Sequence, residues 1–377
     1  MTDELRYGFG KNWAEFIEKK LSDSIVRESV DHMRRFMKID NLNGKTFLDI
    51  GCGSGIHSLA ALRLGAEKVV AFDYDEHSVA TSRKVREWAG VPVEKWAIQQ
   101  GSVLDLDFMH SLPKSDIVYS WGVLHHTGSM WEAVRNATIP TKTDGEFYIA
   151  LYSSDIYVDP TPEFWIKLKR AYNQADPMTR KLMELKYVYW ILIKPELDAG
   201  RDPLDLMKTY GKRGMTAWTD AKDWMGGYPM EFAGLAETQA FCRNVAGLDM
   251  VNVLTGEGCT EYLFAHVDKN AHWKAVEQKR KQLKLSGTIH HAGGFGYAVD
   301  LPSHLASSAD DNSDHMRSKL MVFEDGAPLG IAHSMHDVIR NLGKGRFSHW
   351  GTGVMFSTSD NSDPTKNGRK YTYCEQY

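Results

Sequence analysis

One stretch of the sequence combines glycines and a carboxylate in a way that suits a nucleotide-like ligand. Asp49 is followed by Gly51, Gly53 and Gly55, and this run lies between an apolar strand-like segment and a helical pattern. Glycines allow a tight turn and a close backbone approach, and the N-terminus of the following helix favours polar or anionic groups. Such a turn alone is a weak signal, because dinucleotide-binding enzymes use a similar turn with a different glycine spacing.

A second carboxylate stands at the end of the next predicted strand. Asp73 follows the apolar run Lys68–Phe72, shortly after the glycine turn. A carboxylate at a strand end can accept hydrogen bonds from both hydroxyls of a ribose. The alternative is a solvated loop acid, but the glycine turn before it favours a ribose contact. Together the two features indicate an adenosine-type ligand.

Two adjacent histidines are the residues best suited to move a proton. Asp116–Trp121 is predicted to be a strand, and the segment at its end contains His125 and His126. Histidine can take a proton from an oxygen or nitrogen nucleophile near neutral pH. His126 is the first candidate for a base or substrate-orienting group, and His125 is the second. The alternative is that one histidine caps the following helix while the other lines the cleft without chemistry.

Alternating strands and helices between Thr46 and Tyr152 must position these residues. Strands are predicted at 46–50, 68–73, 95–100, 115–121 and 145–152, and helices at 55–64, 76–89 and 129–138. This alternation is typical of an α/β fold with a parallel sheet covered on both faces. Ligands of such sheets bind beyond the carboxyl ends of the strands, where the candidate residues lie.

Four segments in order resemble the motifs of class I S-adenosylmethionine-dependent methyltransferases, especially the bacterial small-molecule and glycan-pathway branch. They are Phe47–Ser58, Phe72–Asp75, Gly101–Asp105 and Trp121–Gly128. The resemblance covers residues 7–267. It implies a Rossmann-like seven-stranded sheet with strand order 3-2-1-4-5-7-6, and S-adenosyl-L-methionine as the cofactor. The motifs are specific for the cofactor class and not for the acceptor.

The resemblance also assigns cofactor-binding residues. They are Asp49, Gly51, Gly53, Gly55, Asp73, Tyr74, Ser102, Val103, Trp121 and Trp13. Many relatives carry an acid at the position of Ser102, so Asp105 is an alternative adenine contact, or else a helix cap. Phe9, Asn12 and Trp13 belong to an N-terminal helical segment that is expected either to cover the cofactor cleft or to pack on the sheet.

Acceptor-binding residues are expected around a helical cap inserted at residues 153–230. Helical patterns at 161–173 and 177–193 are followed by Asp223–Glu231, which Gly-Gly and Pro predict to be an irregular loop. The candidate substrate-binding residues are Tyr228, Glu231, Tyr152 and Asp155. Relatives carry Tyr-Asn-Asp-Gln-Gly where this chain has Tyr152–Asp155, so the chain departs from the family pattern there.

The predicted domains follow from these changes in pattern. They are a helical lid at 1–45, the methyltransferase domain with its cap at 46–267, a charged helical connector at 268–285 and a small β-rich module at 286–377. In the module, Leu320–Phe323 and Gly353–Ser357 are predicted strands, and Glu324–Gly326 is a predicted hairpin turn. The run Phe356–Arg369 resembles a module of surface-polysaccharide enzymes, and its polar residues suit either sugar recognition or turn capping.

Composition excludes several classes of protein. The chain has 377 residues, 25% of them charged, and a net charge of −4, which is typical of a globular protein without a nucleic-acid-binding face. Four cysteines without metal or disulfide spacing and a polar N-terminus favour a cytoplasmic location. No apolar run is long enough for membrane insertion, and no metal site is expected.

The sequence therefore predicts methyl transfer from S-adenosylmethionine to a small molecule, with O-methylation of a sugar, nucleotide sugar or glycan precursor as the leading hypothesis. N-methylation and quinone-type O-methylation are alternatives, as is a protein that binds the cofactor or a glycan without catalysis. An NAD enzyme is disfavoured by the glycine spacing and by the histidine pair after the fourth strand.

Overall fold

The computed structural model describes residues 8–10, 14, 17–18, 21–209, 217–255, 258–279, 283–285, 287–315 and 317–375. The chain divides into two compact units. The first comprises the residues up to Ile149 together with Tyr157–Phe232, and the second comprises Ala150–Ile156 together with the residues from Ala233 onward. Within the described ranges, no helix is both long and apolar enough to cross a membrane.

Strands and helices alternate through the first part of the chain, as predicted. The strands are β1 (Thr46–Ile50), β2 (Lys68–Asp73), β3 (Trp96–Gln100), β4 (Ser115–Trp121) and β5 (Thr141–Tyr152). The helices are α1 (Asp23–Met37), α2 (Ile56–Arg63), α3 (Glu76–Trp88), α4 (Leu106–Ser111) and α5 (Met130–Thr138). β1 pairs in parallel with β2 and β4, and β2 with β3. The central strands are buried because helices cover both faces of a parallel sheet.

The cap inserted after β5 is helical. It contains α6 (Pro162–Gln174), α7 (Pro177–Val188), a π-helical turn (Tyr189–Ile193), α8 (Lys194–Asp198), α9 (Pro203–Thr209) and α10 (Ala217–Gly226). Proline is the first residue of α6 and of α7. Its missing backbone N–H costs nothing at this position, because the first N–H groups of a helix have no intrahelical partner. The prediction of an irregular loop at Asp223–Glu231 was wrong for Asp223–Gly226, because these residues form the last turn of α10.

The seven-stranded sheet has the predicted order. After α11 (Leu235–Ala246), β6 (Asp249–Leu254) and β7 (Cys259–Ala265) form an antiparallel pair, and the sheet runs β3-β2-β1-β4-β5-β7-β6. The order confirms the α/β, Rossmann-like methyltransferase sheet. The chain moves from β1 to β2 and β3 on one side and then crosses to β4 on the other. A switch between β1 and β4 creates the crevice where ligands bind in such sheets.

The helices and strands of the C-terminal part are α12 (Ala271–Lys279), β8 (Leu283–Lys284), β9 (His290–His291), β10 (Tyr297–Asp300), β11 (Leu320–Glu324), β12 (Ala327–Pro328), α13 (His336–Leu342), β13 (Phe347–Trp350), β14 (Gly353–Phe356) and β15 (Tyr371–Glu375). In the described residues these strands form two four-stranded sheets, with orders β13-β14-β10-β9 and β12-β11-β15-β8. Asp325 and Gly326 have φ values of +48° and +82°, which matches the predicted hairpin turn between β11 and β12. The predicted helical connector includes β8, and α13 was not predicted.

Candidate functional site

The turn after β1 requires glycine at three positions. Gly51, Gly53 and Gly55 have φ values of +73°, +51° and +80°, in the left-handed region that other residues rarely adopt. A Cβ atom on Gly51 would lie 2.4 Å from Cγ1 of Val123, and one on Gly55 would lie 2.8 Å from Oγ of Ser82. The turn therefore combines an unusual backbone conformation with close packing against neighbouring elements.

Asp73 is fixed at the end of β2 by the glycine turn itself. Its Oδ2 accepts a hydrogen bond of 2.9 Å from the backbone N–H of Gly53, and its Oδ1 accepts one of 2.9 Å from Asp75. Burial raises the pKa of this carboxyl to about 6, although the backbone hydrogen bonds act in the opposite direction. Each carboxylate oxygen has two lone pairs, so both retain capacity for a ribose hydroxyl.

Asp49 is the second carboxyl of this site. Its side chain is buried, and Oδ2 accepts a hydrogen bond of 2.6 Å from the hydroxyl of Ser58 in α2. Burial raises the pKa of Asp49 to about 7, and the nearby negative charge of Asp73 adds to this rise. Two carboxyl groups beside one glycine turn favour a ligand that brings a ribose and positive charge. S-adenosylmethionine, with its ribose, ammonium and sulfonium, fits this set.

The predicted adenine contacts lie at the end of β3. Val103 is buried, and the hydroxyl of Ser102 accepts a hydrogen bond of 3.2 Å from the N–H of Leu104. The carboxylate of Asp105 accepts a hydrogen bond of 3.0 Å from the N–H of Phe108 and is the N-cap of α4. Of the two roles weighed for Asp105, the structure therefore shows the helix cap.

Two of the three aromatic residues predicted to contact the cofactor lie at the ends of β2 and β4, the strands on either side of β1. Tyr74 follows Asp73 and is 47% exposed, and Trp121 is the last residue of β4. The ring of His57, at the start of α2, lies 6.2 Å from that of Trp121. His57 was not predicted, although its position two residues after Gly55 offered a signal. Trp13 and Asn12 lie outside the described residues.

A short N-terminal segment contacts residues beside Asp73 and beside the histidine pair. The backbone N–H of Gly10 donates a hydrogen bond of 2.9 Å to Oδ2 of Asp75, next to the ribose-binding candidate. The ring of Phe9 lies 5.0 Å from the ring of His126. A role of this segment as a lid stays a prediction.

His126 is held in one orientation by the cap. Its Nδ1 lies 2.7 Å from the carbonyl oxygen of Pro229. A carbonyl oxygen only accepts hydrogen bonds, so Nδ1 must carry the proton. In the neutral ring, Nε2 is then the nitrogen with the basic lone pair.

His125 has a different environment. Its side chain is fully buried, and its ring lies 4.4 Å from that of His126. Burial holds the pKa of His125 well below its usual range, and the positive charges of His126 and Lys169 act in the same direction. His125 therefore stays neutral, while His126 is the better placed of the two to exchange a proton.

Two predicted substrate residues of the first unit make hydrogen bonds within the site. Oε2 of Glu231 accepts a hydrogen bond of 2.9 Å from the N–H of Met130 and caps α5, while its own N–H donates to the carbonyl of His125. Burial raises the pKa of Glu231. The hydroxyl of Tyr228 accepts hydrogen bonds of 3.1 and 2.9 Å from the guanidinium of Arg170. Both residues therefore help to order the segment that holds His126.

The other two predicted substrate residues belong to the second unit. Oδ2 of Asp155 accepts a hydrogen bond of 2.7 Å from the N–H of Leu235, at the start of α11. The carbonyl of Tyr152 accepts one of 3.0 Å from the N–H of Ala233. Asp155 thus accepts a hydrogen bond from a backbone N–H at the start of α11, which has no partner within the helix. A role in substrate binding stays a prediction for both Asp155 and Tyr152.

The polar run near the C-terminus forms internal contacts. The guanidinium of Arg369 contacts the carboxylates of Asp360 and Glu324 at 2.6 and 3.0 Å. Asp360 and Asp363 also accept backbone hydrogen bonds from residues two positions later. These contacts show turn capping, the second of the two roles weighed for this run. Among the described residues, no group of three or more His, Cys, Asp or Glu side chains could hold a metal ion.

Lys169 in α6 is a buried residue near this site that was not predicted. It is 0% exposed, and its ammonium donates to the carbonyl of Trp224 and lies 4.0 Å from the centre of that ring. Burial lowers the pKa of Lys169 to about 7, opposed by the negative charge of Asp223. A lysine on the same helical face as Trp165 and Tyr172 was the available sequence signal.

Comparisons with known proteins point to the cofactor half of the site. Residues 30–115 match the family model described as ribosomal protein L11 methyltransferase (PrmA). The ribosomal protein L11 methyltransferase of Cyanothece sp. is 48% identical over 58 residues, which are 15% of this chain and 20% of that protein. The enzyme of Photobacterium profundum is 53% identical over 51 residues, which are 14% of this chain and 17% of that protein.

The chain thus spans a fifth or less of the length of these relatives. The match includes the glycine turn and Asp73 but ends before the histidine pair and the cap. It supports S-adenosylmethionine as the cofactor and carries no information about the acceptor.

Solved structures show weaker similarity. Magnesium protoporphyrin IX methyltransferase from Synechocystis PCC 6803, with bound SAH, is 12% identical with a TM-score of 0.40, and the alignment covers 67% of this chain and 91% of that one. An O-methyltransferase family protein from Burkholderia thailandensis is 13% identical with a TM-score of 0.39, over 64% and 58% of the two chains. The fold assignment therefore depends on the sheet order, which is that of the class I methyltransferases.

Proposed function

We propose that this chain transfers a methyl group from S-adenosylmethionine to a hydroxyl of a small molecule, with a sugar or nucleotide sugar as the acceptor. The fixed orientation of His126 is the observation that supports an oxygen acceptor most directly. Nδ1 donates to the carbonyl of Pro229, so Nε2 carries the basic lone pair of the neutral ring. A hydroxyl must lose its proton when its oxygen is methylated, whereas a neutral amine attacks through a lone pair that it already has.

S-adenosylmethionine supplies a methyl group that its sulfonium already activates. The protein's contribution is then to bind the two reactants side by side and to remove the acceptor proton. The carboxylate of Asp73 suits the ribose, because the backbone of the glycine turn holds one of its oxygens. Neutral His125 packs against His126 without competing for the proton.

Aromatic residues near α10 support a small ring-shaped acceptor. The rings of Tyr157 and Trp224 stack with centres 5.6 Å apart, and Phe232 meets Tyr157 edge-on at 5.1 Å. All three rings are partly exposed. Partly exposed aromatic faces pack well against the C–H face of a sugar, since they offer apolar area at low entropy cost.

The assignment of His126 is tested with His126→Gln. Turnover should fall by about 10²-fold or more, because a general base contributes 10²–10⁴-fold. Affinity for S-adenosylhomocysteine should stay within about twofold, since the contacts of Asp73 are untouched. Transfer of labelled methyl groups across a panel of nucleotide sugars, free sugars, amines and quinols measures the first quantity, and calorimetry measures the second.

The exposed His304 supplies the control, and His304→Gln should leave both quantities unchanged. Full turnover in His126→Gln would remove the histidine as the base. Transfer only to amines or quinols would replace the proposed acceptor class. Cofactor binding without transfer to any acceptor would favour a binding protein over an enzyme.

A further inference from the structure

Lys169 is a buried cation that the proposed reaction does not use directly. Moving an ammonium group out of water costs several kcal/mol unless the protein replaces its hydration with specific contacts. A methionine of similar length would fill the same space without that cost. The contacts that Lys169 makes therefore indicate what its charge contributes.

Those contacts lie at the C-terminal end of α10. The last four carbonyls of an α-helix lack intrahelical partners, and the helix dipole favours positive charge there. The ammonium of Lys169 donates to the carbonyl of Trp224, within the last turn of α10. Asn173, four residues later on the same face of α6, donates a hydrogen bond of 2.8 Å to the carbonyl of Gly226. Two side chains of one helix thus cap the end of another.

The chain that leaves this capped end reaches His126 directly. Gly227 follows α10, and a Cβ atom there would lie 3.1 Å from Cε1 of His126 and 3.3 Å from the ring of Phe9. Two residues later, the carbonyl of Pro229 accepts the hydrogen bond from Nδ1 of His126. A small change in the direction of this segment would therefore move the carbonyl of Pro229, which keeps the proton on Nδ1 of His126.

We propose that Lys169 is a positioning residue for His126. Its ammonium caps α10, fixes the course of Gly227–Pro229 and so keeps Nδ1 of His126 protonated and Nε2 basic. The catalytic part of this inference rests on the proposed function, in which His126 receives the proton of the acceptor. The geometric part can be measured without any acceptor.

The test compares Lys169→Met with Lys169→Arg in the full chain, with S-adenosylhomocysteine added. Methionine keeps the length of the apolar stem and removes the charge, whereas arginine keeps a charged donor. Lys181→Met is the matched control, because Lys181 also lies over a tryptophan ring of the cap, at 4.6 Å from Trp218, but is exposed and pairs with Glu184. The readout is the ¹⁵N chemical shifts of the imidazole nitrogens, assigned to His126 by their loss in His126→Gln.

In the unmodified protein at pH 7, where a large fraction of Lys169 still carries its charge, Nδ1 of His126 should show the shift of a protonated nitrogen and Nε2 that of an unprotonated one. In Lys169→Met both shifts should move toward the average of exchanging tautomers. Lys169→Arg should restore them at least in part, and Lys181→Met should leave them unchanged. Turnover of Lys169→Met should fall about tenfold to a hundredfold, with affinity for S-adenosylhomocysteine within about twofold, because the change misplaces the base and not the cofactor.

Unchanged nitrogen shifts in a folded Lys169→Met protein would overturn the inference. If that variant does not fold, Asn173→Ala removes the second capping contact and provides the same test, and unchanged shifts there would also overturn it. If the ¹⁵N chemical shifts of His126 change in Lys169→Met but turnover stays normal, the capping contact is supported and His126 is refuted as the base. The failure of this inference and the failure of the proposed function are therefore distinguishable.

Discussion

The buried carboxyl of Asp49 makes the stability of the cofactor-free protein depend on pH in a specific direction. The pKa of Asp49 is raised from its ordinary value to about 7, mainly by burial and further by the charge of Asp73. The unfolded chain releases this proton near pH 4, whereas the folded protein holds it up to about pH 7. Raising the pH through this window therefore stabilises the unfolded state relative to the folded one. The penalty is absent below about pH 4 and complete above about pH 7.

The substitution Asp49→Asn removes this penalty with little change in shape. The amide oxygen of asparagine can still accept the hydrogen bond from the hydroxyl of Ser58. A pKa difference of about three units corresponds to about 4 kcal/mol, of which about 2–3 kcal/mol arises between pH 5 and pH 8. We therefore expect the free energy of unfolding of Asp49→Asn, relative to the unmodified protein, to rise by that amount between those two pH values.

Urea unfolding of both proteins without ligand at pH 5 and pH 8 measures the difference. Asp107→Asn is the matched control, because Asp107 is an exposed carboxylate on α4 and its loss should cause no such trend. A difference between Asp49→Asn and the unmodified protein that is the same at both pH values would refute the reasoning. It would mean that the carboxyl of Asp49 ionises in the folded protein as easily as in the unfolded one.

Two further predictions concern the cofactor site. Asp73→Asn should weaken binding of S-adenosylhomocysteine about 10- to 100-fold in calorimetric titration, because a hydrogen bond to a charged group contributes about 1.5–3 kcal/mol. Unchanged affinity would show that Asp73 is not the ribose contact. Gly51→Ala should lower both the melting temperature and the cofactor affinity, because the added Cβ atom would lie 2.4 Å from Val123. Gly44→Ala is the control, since Gly44 has a φ of +70° but no atom lies within 4 Å of the added Cβ. This control should lower the melting temperature slightly and leave the cofactor affinity unchanged. Equal effects of the two glycine substitutions on affinity would show that close packing at Gly51 does not shape the site.

The parts of the fold that follow local patterns were predicted well. β1, β2 and β4 have the predicted bounds, because each is an apolar run with clear ends. The sheet order could be predicted because the four motifs resemble those of a family with a fixed topology. The two short strands β11 and β14 were recognised from apolar residues beside turn residues. By contrast, α13 was missed because its seven residues are too few to establish a helical period.

The proximity of the candidate cofactor residues was predictable for a related reason. Gly53 and Asp73 are far apart in sequence but follow adjacent parallel strands, so their meeting is a property of the sheet. Asp105 was less certain, because an acid before a helix suits both a cap and a ligand contact. Its hydrogen bond to the N–H of Phe108 distinguishes the two roles.

The acceptor side depends on contacts that leave no local pattern. The carbonyl that orients His126 belongs to Pro229, 103 residues away in the chain, and every residue has such a carbonyl. The role of Glu231 as the cap of α5 crosses 101 residues in the same way. Lys169 shares a helical face with Trp165 and Tyr172, but this signal is weak because a lysine in a helical pattern is normally solvated. Long-range backbone contacts therefore limit what the sequence reveals about this half of the site.

The central claim is that the site at the ends of β1 and β2 binds S-adenosylmethionine. Its most direct test is calorimetric titration of the unmodified protein with S-adenosylhomocysteine, and with NAD⁺ under the same conditions. We expect one saturable site for S-adenosylhomocysteine and no binding of NAD⁺, because Asp73 and the glycine turn suit a single ribose beside positive charge. Absence of S-adenosylhomocysteine binding, or tighter binding of NAD⁺, would contradict the account.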